Sequence, residues 1–561
     1  MSDLFNYKNV KNNVHRNSFG LGFQHSFTGK IGQILPISCK LCLPGDVWKL
    51  SSSHFTRTRP VNTAAYCRIK ENIDFFFVPL RLMYRNAPSS LTQMYDYSVQ
   101  ASSEQSIVDV PGSHPFIDTD MLFKVQTNFT KNSLVPKSVV EQLIKQTTEF
   151  SRPMRDKVIE FLKLCQMLNF GVTNIPNTDT EWDDFINGSH PVHKANVSVN
   201  LYYLFAYQKV FQDYFRDSNW ESLSAYTYNM DYFHDDPYQV PDYTQNFWLG
   251  RTPFYLNYRN YEKDMLFGLL PNSQLGQEAK LQLEVSGVLE AIHENVLEVP
   301  GQESGPTGRY NELSTSFSIL QLRQQQFLQK WREIAISGSQ DYKSQIYKHW
   351  GVSLPDELSF KCRHICGDTN FIDINEVVNT ALNGSNEAEI KGKGIGSNDS
   401  NYETFECKDY GILIAVYSSV PLMQYGTSGI DSQLLRVDSL DFPIPEFDSL
   451  GLQPMNLWTF KQTKSKPSTI GYSSRYIDCK TSVDKVSGDF LLSSKSWNAT
   501  LTDEDISDTW NFLDFKVKPN VLDDIFAVNA GDFQNTDQLL VNCFVNMDVV
   551  RNLDYNGLTK F

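Results

Sequence analysis

Residues 541–549 read Val-Asn-Cys-Phe-Val-Asn-Met-Asp-Val, and this stretch decides the fold class. Apolar side chains occupy the five positions 541, 543, 545, 547 and 549, with mostly polar ones between them. Successive side chains of a β-strand point to opposite faces, so this alternation predicts a strand with one buried face. The C-terminal part of the chain is therefore expected to place a strand in the core of a β-protein.

Two runs further upstream predict strands that are buried on both faces. Residues 411–420 form a short apolar run, and residues 73–78 read Ile-Asp-Phe-Phe-Phe-Val before Pro79. Short apolar runs that end at a turn residue are typical of strands in a sandwich core. Strands at both ends of the chain, with long irregular stretches between them, favour an antiparallel β-sandwich with elaborated loops.

Long insertions are expected between these strands, within a single domain of residues 1–561. Glycines and prolines interrupt residues 1–60, which we interpret as an extended basic N-terminal arm. Residues 383–401 are rich in Gly, Ser and Asn and predict a surface loop. The inter-strand insertions are expected at residues 85–200, 218–317 and 368–403.

A few helices are predicted inside the insertions. Residues 201–217 are the clearest amphipathic segment, and 318–336, 138–150 and 154–169 also show helical spacing. The stripe of the first segment is too apolar to face water, so it is predicted to pack on the sheets or on a neighbouring subunit. The residues of this assembly helix are Leu204, Tyr207, Phe211 and Phe215.

Charge is distributed unevenly along the chain. The net charge is −15, but residues 1–70 contain ten Lys and Arg against two Asp, which leaves +8 there and −23 on the remainder. A basic segment on an acidic body is typical of a tail that meets nucleic acid. The charge distribution is equally consistent with an irregular N-terminal segment whose Lys and Arg residues only keep it in solution. The candidate nucleic-acid contacts are Lys8, Lys11, His15 and Arg16.

Motifs for catalysis or metal binding are weak. The glycines at 392, 394 and 396 lack the strand and helix that a phosphate-binding loop requires, and predict a flexible loop. Zinc ligands would have to come from a Cys pair at 39 and 42 and another at 362 and 366, more than 300 residues away. The Asp and His residues at 231–236 favour a solvated turn. We expect no cofactor, no metal and no catalytic activity.

Targeting signals also bear on where the protein works. No stretch of 18 apolar residues occurs, and the first ten residues lack the apolar region of a signal peptide. Nine scattered cysteines argue against a disulfide framework. We therefore expect no membrane insertion and a protein that is made and assembled in a cytoplasm.

Several segments, in order along the chain, resemble the major capsid proteins of the microviruses (Microviridae). Each motif is short and weak on its own. Their shared order, from about residue 8 to the C-terminus, is what makes the resemblance to this family specific. The wording of residues 7–12, Tyr-Lys-Asn-Val-Lys-Asn, is similar to the gokushovirus and alpavirus-like branch. The motifs are Leu-Pro-Gly-Asp at 43–46, Arg-Pro at 59–60, Asp-Phe-Phe-Phe-Val-Pro at 74–79, Phe-Ala-Tyr-Gln-Lys at 205–209, Tyr-Arg-Asn at 258–260, Leu-Arg-Gln at 322–324, Trp-Gly-Val at 350–352 and Gly-Ile-Asp at 429–431.

The resemblance implies a mainly β fold, an eight-stranded antiparallel jelly roll with long loop insertions that contain a few helices. It further implies pentamers and a T=1 icosahedral shell around circular single-stranded DNA. The insertions are then expected to form the outer surface of the virion and the subunit contacts. Members of the family with a tall surface protrusion have a long insertion after the segment that corresponds to residues 271–276. Here only residues 277–317 lie between that segment and the predicted helix at 318–336, so any surface protrusion is expected to be modest. The implied partners are the chain itself, the packaged DNA and a host-cell surface receptor, and a small basic DNA-binding virion protein is left open.

A carbohydrate-binding or carbohydrate-active β-sandwich is the alternative from a different functional class. It draws on the abundance of aromatic residues, 13% of the chain, and on the Asp and His cluster at 231–236. Particle size separates the two hypotheses, because a shell protein forms pentamers or particles and an enzyme a small oligomer.

Overall fold

The computed structural model describes most of the chain, with the longest internal gaps at residues 93–113, 137–158, 222–255 and 277–318. The described residues are 16–63, 65–84, 87–92, 114–119, 122, 125–126, 135–136, 159–176, 178–186, 192–221, 256–276, 319–378, 390–464, 468–507, 515–528 and 537–554. The predicted helix at 138–150, the Asp and His cluster at 231–236 and the segment 277–317 lie outside them.

The main sheet contains ten strands, two more than the eight that the resemblance implies. They are β1 Asn17–Gly20, β2 Phe23–Gly29, β3 Ile34–Cys42, β4 Val47–Thr58, β5 Ile69–Pro79, β6 Arg363–Val378, β7 Ile390–Asp399, β8 Glu403–Glu406, β9 Gly411–Pro421 and β10 Leu539–Arg551. Short pairs outside it join Phe116–Asp118 to Ser198–Asn200, Val125–Gln126 to Val135–Pro136, Gln424–Tyr425 to Thr500–Leu501 and Gln453–Asn456 to Thr469–Ser473.

The main sheet curls on itself into two facing halves. Its order is β1-β10-β4-β7-β6-β5-β9-β3, with β2 on β10 and β8 on β4, and the pairings are antiparallel. The long strand β6 joins the halves, because it pairs first with β5 and then with β7. Phe27 of β2 meets Tyr417 of β9 across the interior at 5.4 Å between ring centroids. The protein is therefore mainly β, with the jelly-roll type of sandwich that was expected.

The predicted strands lie where the sequence patterns place them. On β10, the five apolar side chains from Val541 to Val549 are buried and the intervening ones are exposed or half-buried, which confirms the alternation. Strand β9 is buried along its whole length, because one face meets the other half of the sheet and a helix covers the opposite face. Strand β5, which contains the Phe-Phe-Phe run, is its neighbour.

The surface loop predicted for residues 383–401 is wrong over residues 390–399, which form β7 within the predicted insertion 368–403. Its glycines allow this strand to approach its neighbours closely. A side-chain carbon at Gly394 would lie 2.5 Å from Thr58 Cγ2, and one at Gly396 would lie 2.5 Å from Glu71 Oε1. A strand whose inward positions are glycines has no apolar alternation, so composition suggested a loop.

The N-terminal arm predicted for residues 1–60 also needs correction. Residues 17–58 are extended, but they supply strands β1 to β4 of the main sheet. Strands β1 and β2 both pair with β10, β1 with residues 548–551 and β2 with residues 539–545. The two ends of the described chain therefore meet in one half of the sheet. The interruptions by Gly and Pro mark turns between strands, as at Gly32 and Gly45, which have φ of 84° and 89°.

The described residues include the helices α1 Ala87–Thr92, α2 Asp179–Ile186, α3 Tyr202–Val210, α4 Ile319–Ile336 and α5 Tyr342–Trp350. Residues 159–167 are also helical. The prediction for 201–217 is confirmed as α3 followed by a π-helical turn, Phe211–Phe215, and the prediction for 318–336 is confirmed as α4. Helix α3 packs on β9 and β5 and forms a third layer over the sandwich.

Candidate assembly surfaces

The stripe of the predicted assembly helix lies inside the protomer. Leu204, Tyr207, Phe211 and Phe215 are all buried by the chain's own residues. The Tyr207 hydroxyl donates to the Ile34 carbonyl and accepts from the Asn257 amide, each at 2.9 Å. Burial raises the pKa of this phenol well above its ordinary value. These contacts hold α3 on the sheet, and a role of these residues in assembly remains a prediction.

The π-helical turn after α3 connects this helix to the sheet and to the loop before β6. The Phe76 ring of β5 packs 4.9 Å from Tyr214 and 5.9 Å from Phe215, measured between ring centroids. Asp213 accepts a hydrogen bond from the Cys362 amide at 2.8 Å and pairs with Lys209 at 3.1 Å. The whole segment is thus fixed to the protomer core.

A different helical element presents apolar side chains to the outside. Only Ala335 and Ile336 of α4 are buried. Phe327 is 69% exposed, Trp331 is 50% exposed, and Trp350 at the end of α5 is 67% exposed. We call the exposed apolar side chains of these two helices the helix surface; its members on α4 are Ile319, Leu320, Leu322, Phe327, Leu328 and Trp331, and those on α5 are Tyr342, Tyr347 and Trp350.

Local contacts give the helix surface a defined shape. The Trp331 and His349 rings stack with centroids 5.3 Å apart and an interplanar angle of 23°, which packs α4 against α5. The side chain of Asp341 caps α5 by accepting from the Ser344 amide at 3.0 Å. Gly351 ends α5 in the left-handed conformation, with φ of 68°. The exposed rings are therefore carried by an ordered helical hairpin.

A second apolar region, which we call the loop surface, adjoins α4. It lies in residues 434–450, where the exposed apolar side chains are Leu434, Val437, Leu440, Phe442, Phe447 and Leu450. The Asp438 and Asp441 side chains form a reciprocal capping box around the 3₁₀ turn Ser439–Asp441. A side-chain carbon at Gly451 would lie 3.4 Å from Glu333 Oε1 of α4. Soluble monomers rarely expose contiguous apolar areas of more than a few hundred Å².

The predicted nucleic-acid contacts are only partly within the described chain. Lys8, Lys11 and His15 lie outside it. Arg16 is exposed at the start of β1, and its guanidinium donates to the Gly45 carbonyl. Strand β1 lies at the edge of the half-sheet that contains β10, so the basic N-terminal residues join the protein at that edge.

The cysteines and the histidine considered for metal binding or catalysis lie in buried or half-buried sites or in ordinary polar pairs. Among the residues that the structure describes, no group of three His, Cys, Asp or Glu side chains could hold a metal ion. Burial raises the pKa of the Cys39, Cys42 and Cys362 thiols well above the ordinary value, and it raises that of Cys366 to about 12. His364 lies 3.0 Å from Asp74 in an ordinary polar pair. No helix in the described ranges is long and apolar enough to cross a membrane.

Compared with models of known protein families, the sequence matches the model of a phage family. The model of the phage family described as "Capsid protein (F protein)" matches residues 8–112 and 177–557. The chain belongs to this phage capsid protein family. Its membership confirms the resemblance to the major capsid proteins of microviruses. The capsid family model skips residues 113–176, which fall within the insertion predicted at 85–200.

One relative of the capsid family is similar over part of the chain. Capsid protein VP1 of Chlamydia phage 1 is 24% identical over 189 residues. The aligned region is 32% of this chain and 32% of VP1, so it spans about a third of that relative's length. The match to the capsid family model covers most of the chain, and membership of that family makes the protein a virion component.

The structure also identifies residues that the sequence patterns did not single out. The exposed rings of α4 and α5 are one group, and two solvent-facing rings on the neighbouring strands β4 and β10, Phe55 and Phe544, are another. A signal for Phe544 was present, because it is an aromatic residue at an otherwise polar position of the alternating strand 541–549. The helix surface had no such signal, since apolar residues at helical spacing usually indicate a buried face.

Proposed function

We propose that this capsid protein self-assembles through pentamers into a T=1 icosahedral shell that encloses circular single-stranded DNA. The observation that carries the proposal is the pair of ordered apolar surfaces, the helix surface and the loop surface, on a protein of a capsid family. Contacts between copies would remove these surfaces from water, and buried aromatic side chains typically dominate such interfaces.

The proposal includes the setting in which the shell works. Assembly takes place in the host cytoplasm, the shell becomes the virion, and its outer loops meet a host-cell surface receptor. The segments that supply this outer surface are the insertions at 85–200 and 218–317 and the described part of 368–403 outside the strands. A small basic virion protein is compatible with the same shell.

Particle size tests the proposal directly. The purified chain is expected to form pentamers and closed particles, seen by light scattering and negative-stain electron microscopy. Phe327→Glu with Trp331→Glu should give folded protein that does not form shells, because each buried unpaired charge would cost the contact about 2 kcal/mol or more.

The control places the same charges on the polar positions of the same helix. Gln324→Glu with Gln326→Glu adds two carboxylates to exposed sites of α4 and should leave the yield of particles unchanged. Particles from the Phe327 and Trp331 variant at wild-type yield would contradict the role of the helix surface. A wild-type chain that remains a small oligomer would contradict the shell and favour the carbohydrate-related alternative.

A further inference from the structure

One face of the main sheet points away from the interior and carries two aromatic rings at its centre. Phe55 of β4 is 38% exposed and Phe544 of β10 is 43% exposed. In the antiparallel register Phe55 lies opposite Asn542, and Phe544 lies opposite Ser53. The two rings are therefore diagonal neighbours on adjacent strands, a separation of about 7–8 Å. We call this outward face of β2, β10, β4 and β7 the sheet platform.

Uncharged polar groups surround the two rings. Strand β2 contributes Gln24 and Ser26, which are exposed and lie opposite Phe544 and Asn542. The Gln24 amide donates to the Asn542 side chain at 2.8 Å. Ser397 of β7 lies opposite Phe55 on the other side. Amides and hydroxyls next to exposed rings can hydrogen-bond to base edges, whereas a face that packs on another subunit is usually depleted of Ser.

Cations lie beside the rings of the platform. The Arg57 guanidinium lies 5.0 Å from the Phe55 centroid, and Lys49 lies 4.2 Å from the centroid of the exposed Tyr402 ring. Both cations come from the basic segment 1–70, which carries +8 in an otherwise acidic chain. Carboxylates are also present on this face: Asp548 lies opposite Lys49, and Asp399 ends β7.

The chain itself brings more positive charge to the same place. Arg16 immediately precedes β1, which lies beside β10 at the edge of the platform. The fifteen residues before Arg16 contain Lys8, Lys11 and His15, so they are attached at this edge. The described chain thus begins, at Arg16, beside the half-sheet that carries the aromatic face.

We propose that the sheet platform binds single-stranded DNA, with bases stacked on Phe55 and Phe544 and phosphates near Arg57 and Lys49. Stacking on aromatic side chains tolerates any base, and phosphate contacts carry no base information. The binding is therefore independent of sequence, as a surface that meets a whole genome requires. This inference rests on the proposed function in one respect, that the chain encloses DNA.

Binding of an oligonucleotide to the full-length protein tests the inference. The probe is a dye-labelled thymidine oligonucleotide of about 16 nucleotides, the upper range for a single stacking platform, followed by fluorescence anisotropy. Phe55→Thr with Phe544→Thr should bind it at least about tenfold more weakly than the wild type. Threonine keeps the preference for a strand, so the fold is retained.

Leu540→Thr is the matched control, because Leu540 is an exposed apolar residue on the same face of β10 but has no ring to stack. It should bind the oligonucleotide like the wild type. Unchanged affinity of the Phe55 and Phe544 variant overturns the inference. Loss of particle formation with unchanged affinity also overturns it, and assigns the platform to a contact between copies.

Photo-crosslinking of the unmodified protein gives a second measurement that needs no variant. An oligonucleotide with 5-iododeoxyuridine should crosslink to peptides that contain Phe55 or Phe544, because stacked aromatic rings lie against the base. Crosslinks confined to other peptides overturn the inference. A chain that crosslinks at these rings but forms no particles supports the platform while contradicting the shell, so the two proposals fail separately.

Discussion

Glu71 is the residue that connects the two halves of the sandwich. It is fully buried on β5, and its carboxylate lies 2.8 Å from His54 Nε2 of β4 in the facing half. Tyr417 of β9 and Asn370 of β6 also donate to it, both at 3.1 Å. Burial acts to raise the pKa of Glu71, but the hydrogen bonds and charge of His54 outweigh it and hold the pKa below its ordinary value.

Glu71→Gln is expected to destabilise the protomer by about 1–3 kcal/mol, because the amide cannot satisfy all the buried donors that meet the carboxylate. It should also alter the response to acid. A carboxylate with a lowered pKa contributes stability above its unfolded pKa, near 4.5, and this contribution is lost as the pH falls through the folded pKa. The measurement is the thermal unfolding midpoint from pH 7 down to about 3.

The control for this residue is Glu403→Gln, which removes an exposed carboxylate from the short strand β8. Its unfolding midpoint should follow the wild-type curve at every pH. The Glu71 variant should show a smaller loss of stability below about pH 4.5 than the wild type. Parallel curves for wild type and Glu71→Gln would mean that the buried carboxylate does not set the acid response.

At the scale of elements, α3 and α4 have similar sequence signals and opposite surroundings. Both have apolar side chains at helical spacing, but the stripe of α3 is buried on β9 and β5, whereas most of α4 is exposed. A helix covered by its own chain contributes to folding of the protomer. A helix left uncovered contributes only when another surface meets it.

One substitution made in each helix separates these contributions. Leu204→Ala in α3 should lower the free energy of unfolding of the unassembled protomer by about 2–5 kcal/mol, because it leaves a cavity at a fully buried site. Leu322→Ala in α4 makes the same chemical change at an exposed site and should change protomer stability by less than about 0.5 kcal/mol. Urea unfolding at low protein concentration measures both. Equal losses would place the α4 side chain in the protomer core.

At the scale of the whole molecule, positive charge is concentrated where the chain begins. Strands β1, β2 and β4, from the basic segment, form much of the half-sheet that carries the sheet platform. The remaining residues carry −23, which opposes contact with DNA elsewhere. A shell built from such copies would reduce phosphate repulsion best if this half faced the genome.

Neutralising the N-terminal cations tests this arrangement. Lys8→Gln, Lys11→Gln and Arg16→Gln together should leave particles intact but weaken oligonucleotide binding. The slope of log affinity against log salt should fall by about 2, since each phosphate contact on a single strand contributes about 0.7. The measurement is anisotropy of the same thymidine probe over a range of salt concentrations.

The control removes three positive charges from the acidic remainder of the chain, residues 71–561. Lys480→Gln, Lys485→Gln and Lys495→Gln change three exposed lysines far along the chain and should leave the salt slope unchanged. An unchanged slope in the N-terminal variant would make the basic segment a structural clamp and leave DNA contact to other groups. The aromatic variant of the platform should lower affinity with little effect on the slope, which separates stacking from charge.

Elements whose apolar pattern is local could be predicted from the order of residues alone. Strand β10 follows from five alternating positions, β9 and β5 from short apolar runs, and α3 and α4 from helical spacing. These patterns are readable because each element buries a face that its own residues define. The collinear motifs likewise identified the capsid family before the fold was known.

Which surfaces meet could not be predicted from local patterns and follows from the folded chain. Strand β7 forms because Gly394 fits against Thr58 of β4 and Gly396 fits against Glu71 of β5. Nothing near these glycines in sequence indicates those partners. The stripe of α3 is covered by β9, more than 200 residues later, while α4 has no equivalent cover within the described chain. A local pattern states that a face is apolar, but what covers that face depends on contacts between residues distant in sequence.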